Sequence, residues 1–310
     1  MKWELIFTIN GGIGILDKKK KGIKLNVGAS PIWEKEGWTV VDHKITKNRS
    51  GFVKGDATNI NLEDNSCSII FTSHMFEHIP HYKIQKTILE LSRVLEIGGT
   101  IRILTPDLKK IAKAYVEEDE DFFKEALKED ENVRKDLGLG GIFMNFIISP
   151  GQDTILLNRN MSEFIGGYAH LYCYDFEMLK ILLEQCGFGS IEQKKFCESN
   201  IEELKEPLRV VGFENKWQNL NKKFYKDNNL IHEYKDGKYN INFKVTGFDR
   251  DPLTSLIIEA KKERDINPKN IKDINGEDVE NYNRYGFSLL YDKEVKKKLS
   301  YLGIKISNRC

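Results

Sequence analysis

Apolar positions along the first third of the chain follow two rhythms. Residues 23–28 close an apolar run on Leu25-Asn26-Val27, and residues 38–42 form a second, Trp38-Thr39-Val40-Val41-Asp42; both read as strands. Phe52-Val53 leads into Gly55-Asp56, and Cys67–Thr72 is a short buried-strand pattern. The rhythm then changes. Ile84, Ile88, Leu91 and Leu95 recur at spacings of four, three and four, which predicts a helix over Tyr82–Leu95 ended by Gly98-Gly99. Thr100–Leu104 is the next strand, stopped by Pro106. Strands that alternate with helices imply a parallel, doubly wound sheet.

The second half is less regular. Residues 108–130 predict an acidic, solvated helix or two, and residues 138–172 hold Gly- and Asn-rich turns with scattered aromatics. Asp175–Cys186 is an amphipathic helix with Asp175 as N-cap and Gly187 as its stop. Ile191–Phe196 and Ser255–Ala260 are strand candidates. Residues 200–250 are too long for a simple loop and predict a cap or subdomain. Within them, residues 226–245 read as a hairpin turning at Asp236-Gly237, with His232 structural. One helix, Lys293–Leu302, is expected in the tail.

Composition narrows the class. At 310 residues, 31% charged and 40% hydrophobic, the chain has an ordinary globular mix. A formal net charge of +1 argues against a partner that needs a broad basic face, so no nucleic-acid role is expected. Cys67, Cys173, Cys186, Cys197 and Cys310 are odd in number and include no C-x-x-C pair. They therefore read as reduced thiols of a cytoplasmic protein, not as a disulfide framework or a thiolate zinc site. Leu5–Leu16 is interrupted by Asn10 and followed by lysines, unlike a signal peptide, and Gly140–Ile148 is too short to span a bilayer. The lysine runs 18–21 and 296–298 read as solvated faces.

Two constellations hold candidate chemistry. At the first turn only Gly28 stands where a dinucleotide fingerprint wants three glycines; Ser30 and Trp33 occupy the other places. A pyrophosphate needs those glycines, whereas a cofactor without phosphate relaxes the demand. Asp42, at the end of the second strand, is placed to accept from two ribose hydroxyls. The second constellation is Ser73-His74-Met75-Phe76-Glu77-His78. Its H-x-x-E-H spacing matches one class of zinc peptidase, but zinc ligation there needs one long helix, and Pro80 follows too soon. No resident metal is expected. His81 reads as structural; Asp107 and His170 are further polar candidates beside predicted element ends.

The block at residues 55–108 adds more. Gly55-Asp56-Ala57, Glu63-Asp64-Asn65-Ser66, a buried strand, Glu77-His78 and Arg93-Val94-Leu95-Glu96-Ile97-Gly98-Gly99 follow one another in order. This order resembles the class I S-adenosylmethionine-dependent methyltransferases, and most of all the branch associated with surface-polysaccharide and sugar modification. The usual Lys-Pro before the glycine pair is here Glu96-Ile97.

The resemblance spans roughly residues 22–262 and implies a Rossmann-like α/β fold: a mostly parallel seven-stranded sheet with an antiparallel last strand. It places lid insertions at about 108–172 and 200–250, with residues 1–21 as an extension and 263–310 as a tail. It implies S-adenosylmethionine as cofactor, with Asn26, Gly28, Ala29 and Ser30 at its methionine part, Asp42 at the ribose, Asp56 and Ala57 at the adenine, and Ser73 and His74 near the sulfonium. It implies methyl transfer to a small-molecule acceptor, a hydroxyl of a sugar or sugar nucleotide, with His78 or His170 as base, Glu77 orienting and Asp107 in reserve. A methyltransferase-like binding module without activity, and a metal-dependent hydrolase using His74, Glu77 and His78, are the alternatives. Oligomeric state is left open.

Overall fold

The computed structural model describes residues 21–29, 33–43, 45, 51–127, 131–148, 170–207, 226–227, 231–233, 239–241 and 247–267. The chain divides into two compact units, Met1–Ile266 and Asn267–Cys310. Ser30, Cys310, Lys18–Lys20, Lys296–Lys298, the hairpin turn and the predicted tail helix lie outside the described residues.

The strands are β1 (Ile23–Val27), β2 (Trp38–Asp42), β3 (Phe52–Lys54), β4 (Cys67–Ser73), β5 (Leu95–Pro106), β6 (Phe188–Gln193), β7 (Ile231–Glu233), β8 (Tyr239–Ile241) and β9 (Ser255–Lys262). Seven form one sheet in the order β3-β2-β1-β4-β5-β9-β6. The first five are parallel, and β9 runs antiparallel between β5 and β6. This is the Rossmann-like fold the sequence implied. Parallel order needs crossovers, and α1 (His81–Val94) supplies the one between β4 and β5. β7 and β8 pair antiparallel by themselves, as the hairpin pattern predicted.

The helices are α1, α2 (Leu108–Val116), α3 (Glu120–Leu127), α4 (Glu131–Ile147) and α5 (Phe176–Gln185). Asp175 caps α5 by accepting from Met178 N, and Gly187 follows it at φ +90°. Two boundaries depart from the sequence reading. α1 ends at Val94, where Leu95 turns extended; Gly98, at φ +83°, makes its turn inside the strand segment that follows. Residues 138–147 are helical rather than turns, although Gly138 breaks α4 at φ +63°. The reason is packing: Leu139, Ile142, Phe143, Phe146 and Ile147 share one helical face and join Ile111, Ala114 and Phe123 in a small apolar cluster. β6 also begins three residues before the predicted strand.

Register decides what shares a face. Asn26 pairs with Val40 and Phe71, and Phe71 with Arg102. Because side chains alternate, Asn26, Asp42, Ser73 and Arg102 lie on one face. The same face carries the Trp33–Trp38–Phe71–Phe248 cluster. Its rings meet at centroid distances of 4.8–5.9 Å.

Candidate active site

The carboxyl ends of β1, β2, β4 and β5 meet at one edge, where ligands of open α/β sheets bind. β1 runs into Gly28, whose N–H donates to Val41 O at 2.8 Å. Two constraints require glycine there. Its φ is +78°, and a Cβ would come within 2.8 Å of the Met75 side chain. Ala29 packs on the Trp33 cluster. Asp42 stands level with Gly28 at the end of β2 and is buried, with His43 Nδ1 3.7 Å from its carboxylate. Asp56 is exposed and builds a turn: its Oδ1 accepts from Thr58 N at 2.7 Å and Thr58 Oγ1 at 2.8 Å, with Ala57 between. Burial would raise the Asp56 carboxyl, but those bonds and the charges of Lys83 and His43 hold it below its usual value.

Three buried oxygens close no hydrogen bond among the described residues at this edge: Asn26 Oδ1, Thr72 Oγ1 and Ser73 Oγ. Unsatisfied buried oxygens cost stability unless a ligand or water meets them. Asn26 and Ser73 share a face with Asp42, so a polar cofactor across the ends of β1, β2 and β4 would meet all three. S-adenosylmethionine placed there would meet buried oxygens at its amino-acid end and the Asp42 carboxylate at its ribose, so the described residues fit it.

The second half of the site follows β4 directly. His74, at φ +50°, extends the ladder by donating from its N–H to Leu104 O at 2.8 Å. Its ring then spans β4 and β9, with Nδ1 3.0 Å from Glu77 Oε1 and Nε2 3.0 Å from Ser255 Oγ. Asp251 lies 3.8 Å from the same Nε2. One 3-10 turn, Phe76–His78, buries Phe76 and Glu77 completely. Thr105 Oγ1 donates to Glu77 Oε2 at 3.2 Å. Burial alone would raise the Glu77 carboxyl; His74, by charge and contact, then His78 and His170 by charge, outweigh it and hold it at about 2.

His170 arrives from far along the chain. Leu171 N donates to Glu77 O at 2.7 Å, and Leu108 N to Tyr174 O at 3.0 Å, so residues 170–174 are sewn between the turn and the end of β5. The His78 and His170 rings meet edge to face, 5.2 Å between centroids. His170 Nδ1 lies 2.8 Å from Phe146 O at the end of α4. A carbonyl only accepts, so Nδ1 carries a proton, and in the neutral ring the lone pair is on Nε2. The donor atoms of Glu77, His78 and His170 lie within 4.8 Å of one another.

The structure therefore gathers Glu77, His78 and His170, with His74 bridging Glu77 to Ser255 on β9. The zinc-peptidase pattern is not on one helix: its residues straddle a single 3-10 turn, and its first histidine braces Ser255. Asp107 is the N-cap of α2, its Oδ1 accepting from Lys109 N and Lys110 N. His81 stacks on Tyr172 at 4.1 Å, and burial lowers its pKa. Sequence reasoning missed Met75 over Gly28, Ser255 on His74 and the Phe146 carbonyl on His170. Only Met75 fell inside a motif singled out from the sequence, and a main-chain carbonyl leaves no signal in residue identity.

Residues 35–103 match the model of the methyltransferase domain family. No curated protein matches the chain. Among solved structures, one similar chain is a S-adenosylmethionine-dependent methyltransferase from Archaeoglobus fulgidus, at 16% identity and TM-score 0.36, covering 79% of this chain and 88% of that one. Another is phosphoethanolamine N-methyltransferase 2 of Haemonchus contortus, solved with phosphomonomethylethanolamine and S-adenosylhomocysteine, at 13% identity and TM-score 0.35, covering 79% of this chain and 50% of that one. Such likeness says nothing about the acceptor. Among the described residues no helix is long and apolar enough to cross a membrane. The matched segment runs from the turn before β2 into β5, within this sheet order.

Proposed function

We propose that this protein is an S-adenosylmethionine-dependent methyltransferase that acts on a hydroxyl of a small acceptor, a sugar or sugar nucleotide used in surface-polysaccharide biosynthesis. The observation that carries the hydroxyl is the His78–His170 pair beside the buried Glu77 carboxylate at the ligand edge. A neutral alcohol is a poor nucleophile and needs a proton acceptor where it attacks. The sugar rests on the resemblance in residues 55–108 alone.

Bound S-adenosylmethionine supplies an electrophilic methyl group on a sulfonium. Asn26, Gly28, Ala29 and Ser30 hold its amino-acid end, Asp42 its ribose, Asp56 and Ala57 its adenine, and Ser73 and His74 flank its sulfur. The remaining work is alignment in a dry cleft and removal of one proton. Asp107 is engaged as a cap, so the proton goes to an imidazole, with Glu77 orienting the pair. His78 sits nearest β4 in the chain; His170 presents Nε2 because Phe146 O fixes its Nδ1–H.

Single-turnover transfer by His78→Gln and His170→Gln across pH tests the reading. The base should lose on the order of 10²–10⁴-fold in rate, together with the acidic limb of the profile, while cofactor binding holds. If both variants keep most of their rate, the acceptor is not activated here. The cofactor assignment has its own test. Asp42→Ala should weaken S-adenosylhomocysteine binding by calorimetry, roughly 5- to 150-fold for one lost charged hydrogen bond. Binding at wild-type strength would remove Asp42 from the ribose.

A further inference from the structure

We propose that Glu77, His78 and His170 form a site for one divalent transition-metal ion. Two imidazoles and one carboxylate, with donor atoms within 4.8 Å of one another, are the composition of a facial triad with open positions. Small side-chain rotations bring such a span onto one ion at about 2.0–2.2 Å per bond.

Three features of the surroundings point to a cation. Glu77 is fully buried, yet its Oε1 closes no hydrogen bond of good geometry among the described residues. The facing His74 contacts only one side of that oxygen, which has a second lone pair. His170 is oriented from behind: with Nδ1 on Phe146 O, its Nε2 carries the lone pair that a metal takes. Thr105 holds the other carboxylate oxygen, the usual outer support of a ligating glutamate. Nitrogen donors select zinc, iron, cobalt or nickel over magnesium or calcium.

The role of the ion, though not its binding, rests on the hydroxyl reading above. An acceptor hydroxyl coordinated at an open position loses its proton to water near neutral pH, as a metal-bound water does. The alkoxide oxygen then bonds to the methyl carbon while the carbon–sulfur bond breaks and its electron pair stays on sulfur. In that state the two imidazoles are ligands, and the metal-free protein alone uses one of them as base.

The test starts from full-length protein stripped by chelation and titrated with Co²⁺, read by calorimetry and visible absorption. One ion per chain is expected. Glu77→Gln, His78→Gln and His170→Gln should each weaken binding by tenfold or more, while His81→Gln, stacked on Tyr172 outside the trio, should not. Against misfolding of a variant, Zn²⁺ should protect His78 and His170 of the wild-type protein from diethylpyrocarbonate. Absence of stoichiometric binding, or binding indifferent to the three substitutions, overturns the site. Single-turnover rates of stripped and Zn²⁺- or Co²⁺-restored protein separate the two readings. A stripped enzyme at full rate that still needs a histidine keeps the imidazole base and overturns the catalytic role of the ion. Restoration of a lost rate by the ion supports it.

Discussion

Glu77 carries an ionised carboxylate with no solvent exposure, four residues beyond a strand end. Burial opposes that charge, and three histidines sustain it. The pH consequence has a definite sign. A carboxyl lowered from 4.5 to about 2 on folding adds stability that is fully present above about pH 4.5 and is lost as pH falls toward 2. The amount is about 3 kcal/mol. Urea melts of the chelated protein at a series of acidic pH values should show this loss, and Glu77→Gln should flatten it. An unchanged slope would place the acid transition elsewhere. The thiols make a second residue-scale prediction. Burial pushes Cys67, Cys173, Cys186 and Cys197 up to about 12. At pH 8 their thiolate fraction is therefore on the order of 10⁻⁴. Mass mapping after brief iodoacetamide treatment of the folded protein should leave all four unlabelled.

Among the elements, the β1 turn is the tightest. Gly28 is held by a left-handed φ and by Met75 at its back, two independent reasons that a double substitution can separate. Gly28→Ala should lower stability by about 1 kcal/mol or more and weaken S-adenosylhomocysteine binding. Met75→Ala in that background should recover the steric part and leave the backbone part. Full recovery, measured by thermal melts, would mean that φ contributes nothing. α4 makes the complementary point. Its face of Leu139, Ile142, Phe143, Phe146 and Ile147 packs on α2 and α3, and that packing fixes the Phe146 carbonyl on which His170 depends.

Across the whole molecule, the β5–β9 half of the sheet is tied by a buried charge cluster on the face that also carries Asn26, Asp42 and Ser73. Arg102 on β5 donates to both carboxylate oxygens of Asp249 and, at 2.6 Å, to Glu259 on β9. Cys197 N donates to Asp249 at 2.7 Å, which brings in the chain after β6. Arg102→Met leaves two carboxylates buried and should cost about 3–5 kcal/mol, whereas apolar replacement of all three partners should restore much of it. Equal losses in the single and triple variants, by urea denaturation, would deny that uncompensated charge is the cause. The sequence by itself determined the alternating order of elements, the parallel sheet, a strand at Ser255, the α5 cap at Asp175 and the motif from Gly55 to Gly99; that the Ser255 strand runs antiparallel was implied only by the family resemblance. Each is written in spacing over a few residues, or in a block whose order the chain keeps. It also named Glu77, His78 and His170, but as separate candidates. Tertiary structure alone decided that these three converge, that His74 braces β9, and that Met75 backs Gly28. Those contacts join residues far apart in the chain or run through main-chain atoms common to every residue, and neither leaves a periodicity or a residue type to read.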